Sequence, residues 1–252
     1  MDTLLNGPYD NLNCYLEIHP GAGGTESCDW ASMLLRMYKM FCEKNNFSYE
    51  IVEEQAGEEA GIKSATLYIK GEYAYGYLKN EKGVHRLVRI SPFDAGARRH
   101  TSFASVSVTP EYNMEISLDI KESDLKIDVY HSSGAGGQSV NTSNSAVRIT
   151  HIPTKIVVTC QNERSQLKNK EQAMKILKNK IYQLELEKKE QEINMFKKDN
   201  VDINFGSQIR NYVLEPYKLI KDLRSNYETS NVDKVLNGDL KELIESLLKK
   251  KA

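Results

Sequence analysis

The spacing of apolar residues changes period several times along the chain. Tyr15 to Ile18 alternate in character, which predicts a strand, and the glycines of GAGGTE then mark a loop. From Thr25 the period lengthens. Trp30, Met33, Leu34, Met37, Tyr38 and Phe41 recur at helical intervals, and Asn45–Asn46 end the run. FSYEIVE and SATLYIKG predict further strands, and YAYGYLKNEKGVHRLVRIS predicts a short helix followed by another short element. TSFASVSVTP has strong strand propensity, although Phe103, Val106 and Val108 alternate imperfectly. Short strands beside one helix predict an α+β unit ending near Pro110.

A second pattern follows. LKIDVYHS predicts a strand, and SAVRITHIPTKIVVTCQN predicts a hairpin of β-branched strands turning at Pro153–Thr154. The next stretch, RSQLKNKEQAMKILKNKIYQLELEKKEQEINMFKKDN, has no Pro or Gly, and Leu167, Met174, Leu177, Ile181 and Leu184 keep to one helical stripe. A helix of about 30 residues would be roughly 45 Å long, with a stripe suited to docking on the hairpin. Near Gly206 the pattern breaks into a mixed segment. A last amphipathic helix carries Leu240, Leu243, Ile244 and Leu247. The predicted fold class is α+β, with segments 1–112, 113–204 and 205–252.

Composition narrows this picture only a little. The 252 residues carry a formal net charge of −1, so the total does not point to nucleic acid, although a basic face can hide inside a neutral total. Cys14, Cys28, Cys42 and Cys160 form no C-x-x-C pair and read as buried thiols of a reducing cytoplasm. No apolar run reaches the ~18 residues of a membrane span. The N-terminus MDTLLNGPYD has neither the basic nor the apolar region of a signal peptide, so a cytoplasmic protein is expected.

The stretch SSGAGGQSVN cannot pack a core. Gly134, Gly136 and Gly137 permit positive φ and leave no Cβ in the way, so backbone N–H groups can approach a ligand closely. The Lys of a phosphate-binding G-x-x-x-x-G-K-[ST] loop is absent, as is G-x-G-x-x-G spacing. A flexible linker is one reading; a loop presented between a strand and a hairpin is the other. Gln138 has no acid, base or nucleophile character near neutral pH. It can position water, and its backbone N–H can stabilise an oxyanion. The bases at hand are His131 and His151, so the loop reads as completing a catalytic site that belongs to something else.

SGAGGQ with VN, SAVRITHIPT, CQNERSQ and NKEQAM resembles the bacterial class I peptide chain release factors. So do GAGGTES, DWASMLLRMY, GEEAGIKSATLYIKG, GVHRLVRISPFDA and RRHTSFASV in the first half. The resemblance covers about residues 14 to 245. Ser91, Pro92 and Phe93 stand where the family carries its stop-codon tripeptide, and Ser-Pro-Phe is the type 2 pattern, which implies reading of UGA and UAA. It further implies that Ser91, Pro92, Phe93, His100 and Thr101 recognise the codon, with His100 stacking on a base and Thr101 bonding a base edge. Arg98 and Arg99 would contact phosphates or hold the loop. Gly136, Gly137 and Gln138 would promote hydrolysis of the peptidyl-tRNA ester, with Gln138 a target of N-methylation. The first and last segments would form one codon-reading superdomain, and the middle segment would present the Gly-Gly-Gln loop.

The implied partners are the ribosome, with its RNA, mRNA stop codon and P-site peptidyl-tRNA, and a glutamine methyltransferase. No metal or organic cofactor is implied, nor a free-standing enzyme, and a monomer is expected. Family members carry a helical domain ahead of the strand at Tyr15. It is expected to be missing here, which puts interaction with a recycling GTPase in question. His131, Thr142 and Asn144 stand where charged residues are usual, and Ala97 stands where a Gly is usual. Asn204–Phe205 replace a common Gly-Trp. A ribosome-rescue hydrolase is the rival within this chemistry, but such proteins have no codon-reading segment. A non-catalytic RNA-binding module would not need Gln138. Without the resemblance, Ser-Pro-Phe reads as an ordinary turn and His100 as a structural residue.

Overall fold

A computed structural model describes residues 4–111, 118–131, 145–161, 164–198 and 208–252. Gly134, Gly136, Gly137, Gln138, Thr142, Asn144, Asn204–Phe205 and Gly206 lie outside the described residues. The chain forms two compact units, one from residues 1–112 and 196–252, the other from residues 113–195. Both mix helix and sheet.

The larger unit begins with β1 (Cys14–Pro20), α1 (Thr25–Lys44), β2 (Ser48–Ala56), β3 (Ile62–Lys70) and a short α2 (Ala74–Leu78). β4 (Gly83–Ile90) and β5 (Arg99–Pro110) follow as an antiparallel hairpin. The expected α1 stripe is the buried one: Trp30, Leu34, Met37, Tyr38 and Phe41 are all buried, and Met33 packs at its margin. Asn45 caps the helix, and Asn46 takes the left-handed turn that stops it at φ 58°. In β5 the face turned to the core carries Ser102, Ala104, Val106 and Val108, all buried. Phe103 belongs to the opposite face, and the small inward Ser and Ala explain the imperfect alternation.

The C-terminal segment is more regular than its sequence pattern. Its mixed stretch contains three strands, β6 (Gln208–Val213), β7 (Leu219–Asp222) and β8 (Glu228–Thr229), before α3 (Val232–Leu236) and α4 (Lys241–Lys251). These strands complete an eight-stranded sheet of order β8-β7-β6-β4-β5-β1-β3-β2. Among the described residues only the β6–β4 pairing is parallel, setting Arg210 beside His85 and Tyr212 beside Leu87. Leu240, Leu243 and Ile244 pack into the same core as α1. At Gly238, with φ 98°, a Cβ would lie 2.5 Å from the Phe41 nitrogen, so only glycine lets this turn meet α1 so closely.

An ionic cluster lies inside this unit. Arg210, 1% exposed, donates two hydrogen bonds to the Glu81 carboxylate at 2.7 and 2.8 Å and two to Asp222 Oδ2 at 3.3 and 3.2 Å. Arg210 also donates to Tyr212 Oη, 3.1 Å away. His85 Nε2 faces the Glu81 carbonyl oxygen at 2.8 Å, so it must carry the proton. The bare Nδ1 then accepts from the Tyr212 hydroxyl at 2.8 Å. Trp30 Nε1–H donates to the His85 carbonyl, tying α1 to the cluster. Arg224 Nη2 also donates to Asp222 Oδ2 at 3.0 Å, so two cations face two carboxylates and each is hydrogen-bonded, the condition under which buried ion pairs are tolerated.

The smaller unit is a three-stranded antiparallel sheet with one long helix. Its strands are β9 (Leu125–Tyr130), β10 (Ala146–His151) and β11 (Ile156–Cys160), in the order β9-β10-β11. The helix, α5 (Gln166–Lys198), has 33 residues and is therefore about 50 Å long. Val147, Ile149, Val158 and Cys160 from the sheet meet Ala173, Leu177 and Ile181 from the helix. Leu167, expected on that stripe, is 65% exposed, and the stripe begins with Ala173 instead. Ala173 carries no strong apolar signal in the sequence because its side chain is small. Among the described residues no helix is long and apolar enough to cross a membrane.

Candidate nucleic-acid interface

Most of the predicted site residues collect at one end of the larger unit, on the tip of the β4–β5 hairpin. The hairpin pairs Arg89 with His100 and Ile90 with Arg99, so residues 91–98 form its connection. Its base is held by main-chain and side-chain bonds. Ser91 N–H donates to the Arg98 carbonyl at 3.4 Å, and Ile90 N–H donates to Glu215 Oε2 at 2.6 Å. Asp94 N–H donates to the Ser91 carbonyl, and Ala97 N–H to the Asp94 carbonyl. Ala97 takes φ 48°, in the left-handed region that favours glycine.

Ser91 is 4% exposed, and its hydroxyl is engaged within the protein. It donates to Glu26 Oε2 at 2.7 Å and accepts from the Phe93 N–H at 3.2 Å. Pro92 is exposed, and so is Phe93 at 47%. Strand alternation sends His100 and Thr101 to opposite faces of β5. His100 shares the face of its cross-strand partner Arg89, while Thr101 is exposed on the other. Arg98 Nε donates to Asp94 Oδ2 at 2.9 Å, so this arginine holds the loop; Arg99 is exposed.

Four residues of this site escaped sequence reasoning: Glu26 and Asp29 in the first turns of α1, Arg89 at the end of β4, and Asp94 in the turn. Arg89 bonds Glu26 at 2.7 and 3.2 Å and Asp29 at 2.6 Å. Burial alone would raise the Glu26 carboxyl, but hydrogen bonds from Arg89 and Ser91, with the Arg89 charge, hold it below the usual carboxylate range. An ionised Glu26 therefore anchors Ser91. Acidic residues early in a helix are ordinary dipole partners, which is why their spacing carried no signal. Asp94 reads in the sequence as one more turn carboxylate.

In the smaller unit the structure describes the mounting of the glycine loop. Tyr130 and Ala146 face each other as the last pair of the β9–β10 ladder, so the two ends of the 131–145 connection are adjacent. Asn169 on α5 is fully buried and donates to the Ser145 carbonyl at 2.7 Å, fixing the loop's return. Arg148 lies over the Tyr130 ring at 5.3 Å on the outgoing strand. His131 flanks the loop and is exposed. His151 sits at the other end of β10, about 17 Å along the strand from Ala146, and bonds Thr154 Oγ1 at 2.7 Å. Among the described residues no group of His, Cys, Asp and Glu is gathered that could hold a metal ion.

Two family models match the chain in sequence order, the second running from the smaller unit into the C-terminal strands of the larger one. Residues 1–106 match the PCRF domain model and residues 114–224 the RF-1 domain model. Peptide chain release factor 2 of Thermosipho melanesiensis is 62% identical over 248 residues, covering 98% of this chain and 67% of that protein. The protein of the same name from Listeria monocytogenes serotype 4b is 60% identical over 249 residues, or 99% of this chain and 68% of its own. RF2 of Thermus thermophilus, a solved structure, matches with a TM-score of 0.63 at 53% identity, covering 99% of this chain and 71% of that one. With both domain models matched in order, and identity above half along nearly its whole length, the chain belongs to the peptide chain release factors, within their release factor 2 group.

Proposed function

We propose that this chain terminates translation by reading UGA and UAA in the ribosomal A site and promoting hydrolysis of peptidyl-tRNA. The observation that carries the reading is the placement of Ser91, Pro92, Phe93 and His100 on one braced hairpin tip in a chain of the release factor 2 group. Single-stranded bases are read by stacking and by contacts to their edges. His100 supplies a ring for the first. Ser91 supplies a hydroxyl, donor and acceptor at once, that suits either purine at the second codon position: the O6 acceptor of guanine or the N6 donor of adenine. Because that hydroxyl is held by Glu26 and Phe93 in the free protein, reading the base involves an exchange of partners at Ser91. Thr101 contacts a base edge, and Arg99 meets phosphate.

At the other end, Gly136, Gly137 and Gln138 act on the ester. Water adds to the carbonyl carbon, the bond to the tRNA ribose oxygen breaks, and the proton passes to that leaving oxygen. The Gln138 backbone N–H stabilises the developing negative charge, and its side chain orients the water. The ribosome supplies the remaining groups, so activity exists only in that complex. A glutamine methyltransferase modifies Gln138.

The test is peptide release from ribosomes carrying UGA, UAA, UAG or a sense codon. Release on UGA and UAA alone is expected. Release independent of codon would move the chain to the rescue class. Gln138→Pro, which deletes the N–H, should lower the release rate by roughly 10²–10³, whereas Gln138→Ala, which keeps it, should cost far less. Equal losses would assign the chemistry to the side chain.

A further inference from the structure

We infer that Asp94 is a positioning residue for codon recognition, acting by fixing the ring of His100 before the codon arrives. This rests on the codon-reading role proposed for His100.

The carboxylate of Asp94 is the hub of the hairpin tip. Oδ2 accepts from His100 Nε2 at 2.6 Å and from Arg98 Nε at 2.9 Å. Oδ1 accepts from the Gly96 N–H at 2.8 Å and from Arg98 Nη2 at 3.4 Å. These bonds fill the accepting positions of one ionised carboxylate, and the side chain is only 11% exposed beneath an Arg98 that is 77% exposed. The main chain of Asp94 bonds both arms of the loop, to Ser91 on one side and Ala97 on the other. Anything attached to its carboxylate therefore moves with the loop as a whole.

Two consequences follow for His100. A ring nitrogen facing a carboxylate must carry the proton, so neutral His100 is the Nε2–H tautomer with Nδ1 bare. The ring also loses rotamer freedom before binding, which removes that ordering cost from the encounter with RNA. Asp94 touches neither base nor ester in this arrangement. Its effect should fall on the concentration of factor needed for release, with the rate at saturation unchanged.

A double-mutant cycle on stop-codon-programmed ribosomes decides this, using D94A, H100A and the pair. D94A is expected to raise the half-saturating factor concentration on UGA about tenfold, the scale of one charge-assisted hydrogen bond, and to leave saturated release unchanged. In the H100A background D94A should add less than about twofold, because the ring it positions is gone. Full additivity, or a D94A loss confined to saturated release, overturns the inference while leaving the His100 role intact. If H100A itself reads codons like the parent, the role of His100 falls and this inference falls with it. Imidazole ¹⁵N spectra of the free protein give a ribosome-independent check. The Nε2–H proton should be hydrogen-bonded and slow to exchange with solvent in the parent and exchange rapidly in D94A; unchanged exchange overturns the proposed fixation. If D94A does not fold, D94N replaces it in the cycle, since its single acceptor oxygen can still hold the Gly96 N–H.

Discussion

Glu81 and Asp94 are both carboxylates that hold an arginine beside a histidine-bearing strand, one deep in the core and the other at a surface turn beneath an exposed arginine. Around Glu81 the partners are Arg210, Tyr38 and, through its backbone carbonyl, His85, all buried. Around Asp94 they are Arg98, His100 and Gly96 at a surface turn. Burial works to raise the Glu81 carboxyl, but the Arg210 charge and hydrogen bonds prevail and keep it below its ordinary range. Asp94 is held well below the usual carboxylate range mainly by the His100 bond, then by Arg98 and the Gly96 N–H. In the buried cluster a missing partner leaves a charge that water cannot reach. In the surface cluster water replaces any partner at little cost. The first arrangement therefore holds the C-terminal strands to the body of the unit. The second contributes geometry at a tip where geometry matters for reading RNA.

The largest effect should come from Arg210→Met. It leaves Glu81 and Asp222 facing each other's surroundings without the shared cation, and about 3–5 kcal/mol of stability should be lost in denaturant unfolding. Arg224 still bonds Asp222 at 3.0 Å, so the loss centres on Glu81. Asp94→Ala should move the same unfolding midpoint far less. Equal losses from the two variants would break the comparison.

Acid provides the next test, through His85. Burial first, then the Arg210 charge, push its imidazole down to about 4 from an ordinary value near 6.5. Between those values the unfolded chain binds a proton that the folded protein does not. Stability is therefore fully present above about pH 6.5 and falls as the pH drops toward 4, by up to ~3 kcal/mol. Urea unfolding across that window should show the decline, and His85→Gln should flatten it. A decline that persists in His85→Gln would assign it to other groups.

The contrast also explains what the sequence revealed. Elements with apolar inward faces were legible: α1 through Trp30, Leu34 and Phe41, the β10–β11 hairpin through its β-branched residues, and α4 through Leu243 and Ile244. Strands β6 to β8 were not, because their inward positions include Arg210, Tyr212 and Asp222, which read as surface residues until the cluster that satisfies them is seen. The site divides in the same way. Ser91 to Thr101 could be named through a family resemblance. Their anchors Glu26, Asp29, Arg89 and Asp94 are charged residues in ordinary surroundings along the chain, joined only by folding: Glu26 and Ser91 are 65 residues apart and share one hydrogen bond.

The smallest expected effect sharpens the surface half of the comparison. Ala97 sits at φ 48° in the loop that Asp94 organises. A left-handed residue with a Cβ costs roughly 1–2 kcal/mol. Ala97→Gly removes that cost but frees the unfolded chain by about 0.4–1 kcal/mol, so the net gain should lie between zero and ~1.6 kcal/mol. Codon preference should be unchanged, because Ala97 N–H still reaches the Asp94 carbonyl and His100 still bonds the carboxylate. Thermal unfolding and UGA release of the single variant measure both. A small rise in midpoint with unaltered release would mean that the hydrogen bonds of Asp94, rather than a favourable local backbone, hold the tip in shape. A fall in stability would mean that the loop tolerates Ala97 without strain, and that added freedom in the unfolded chain outweighs any relief in the folded one.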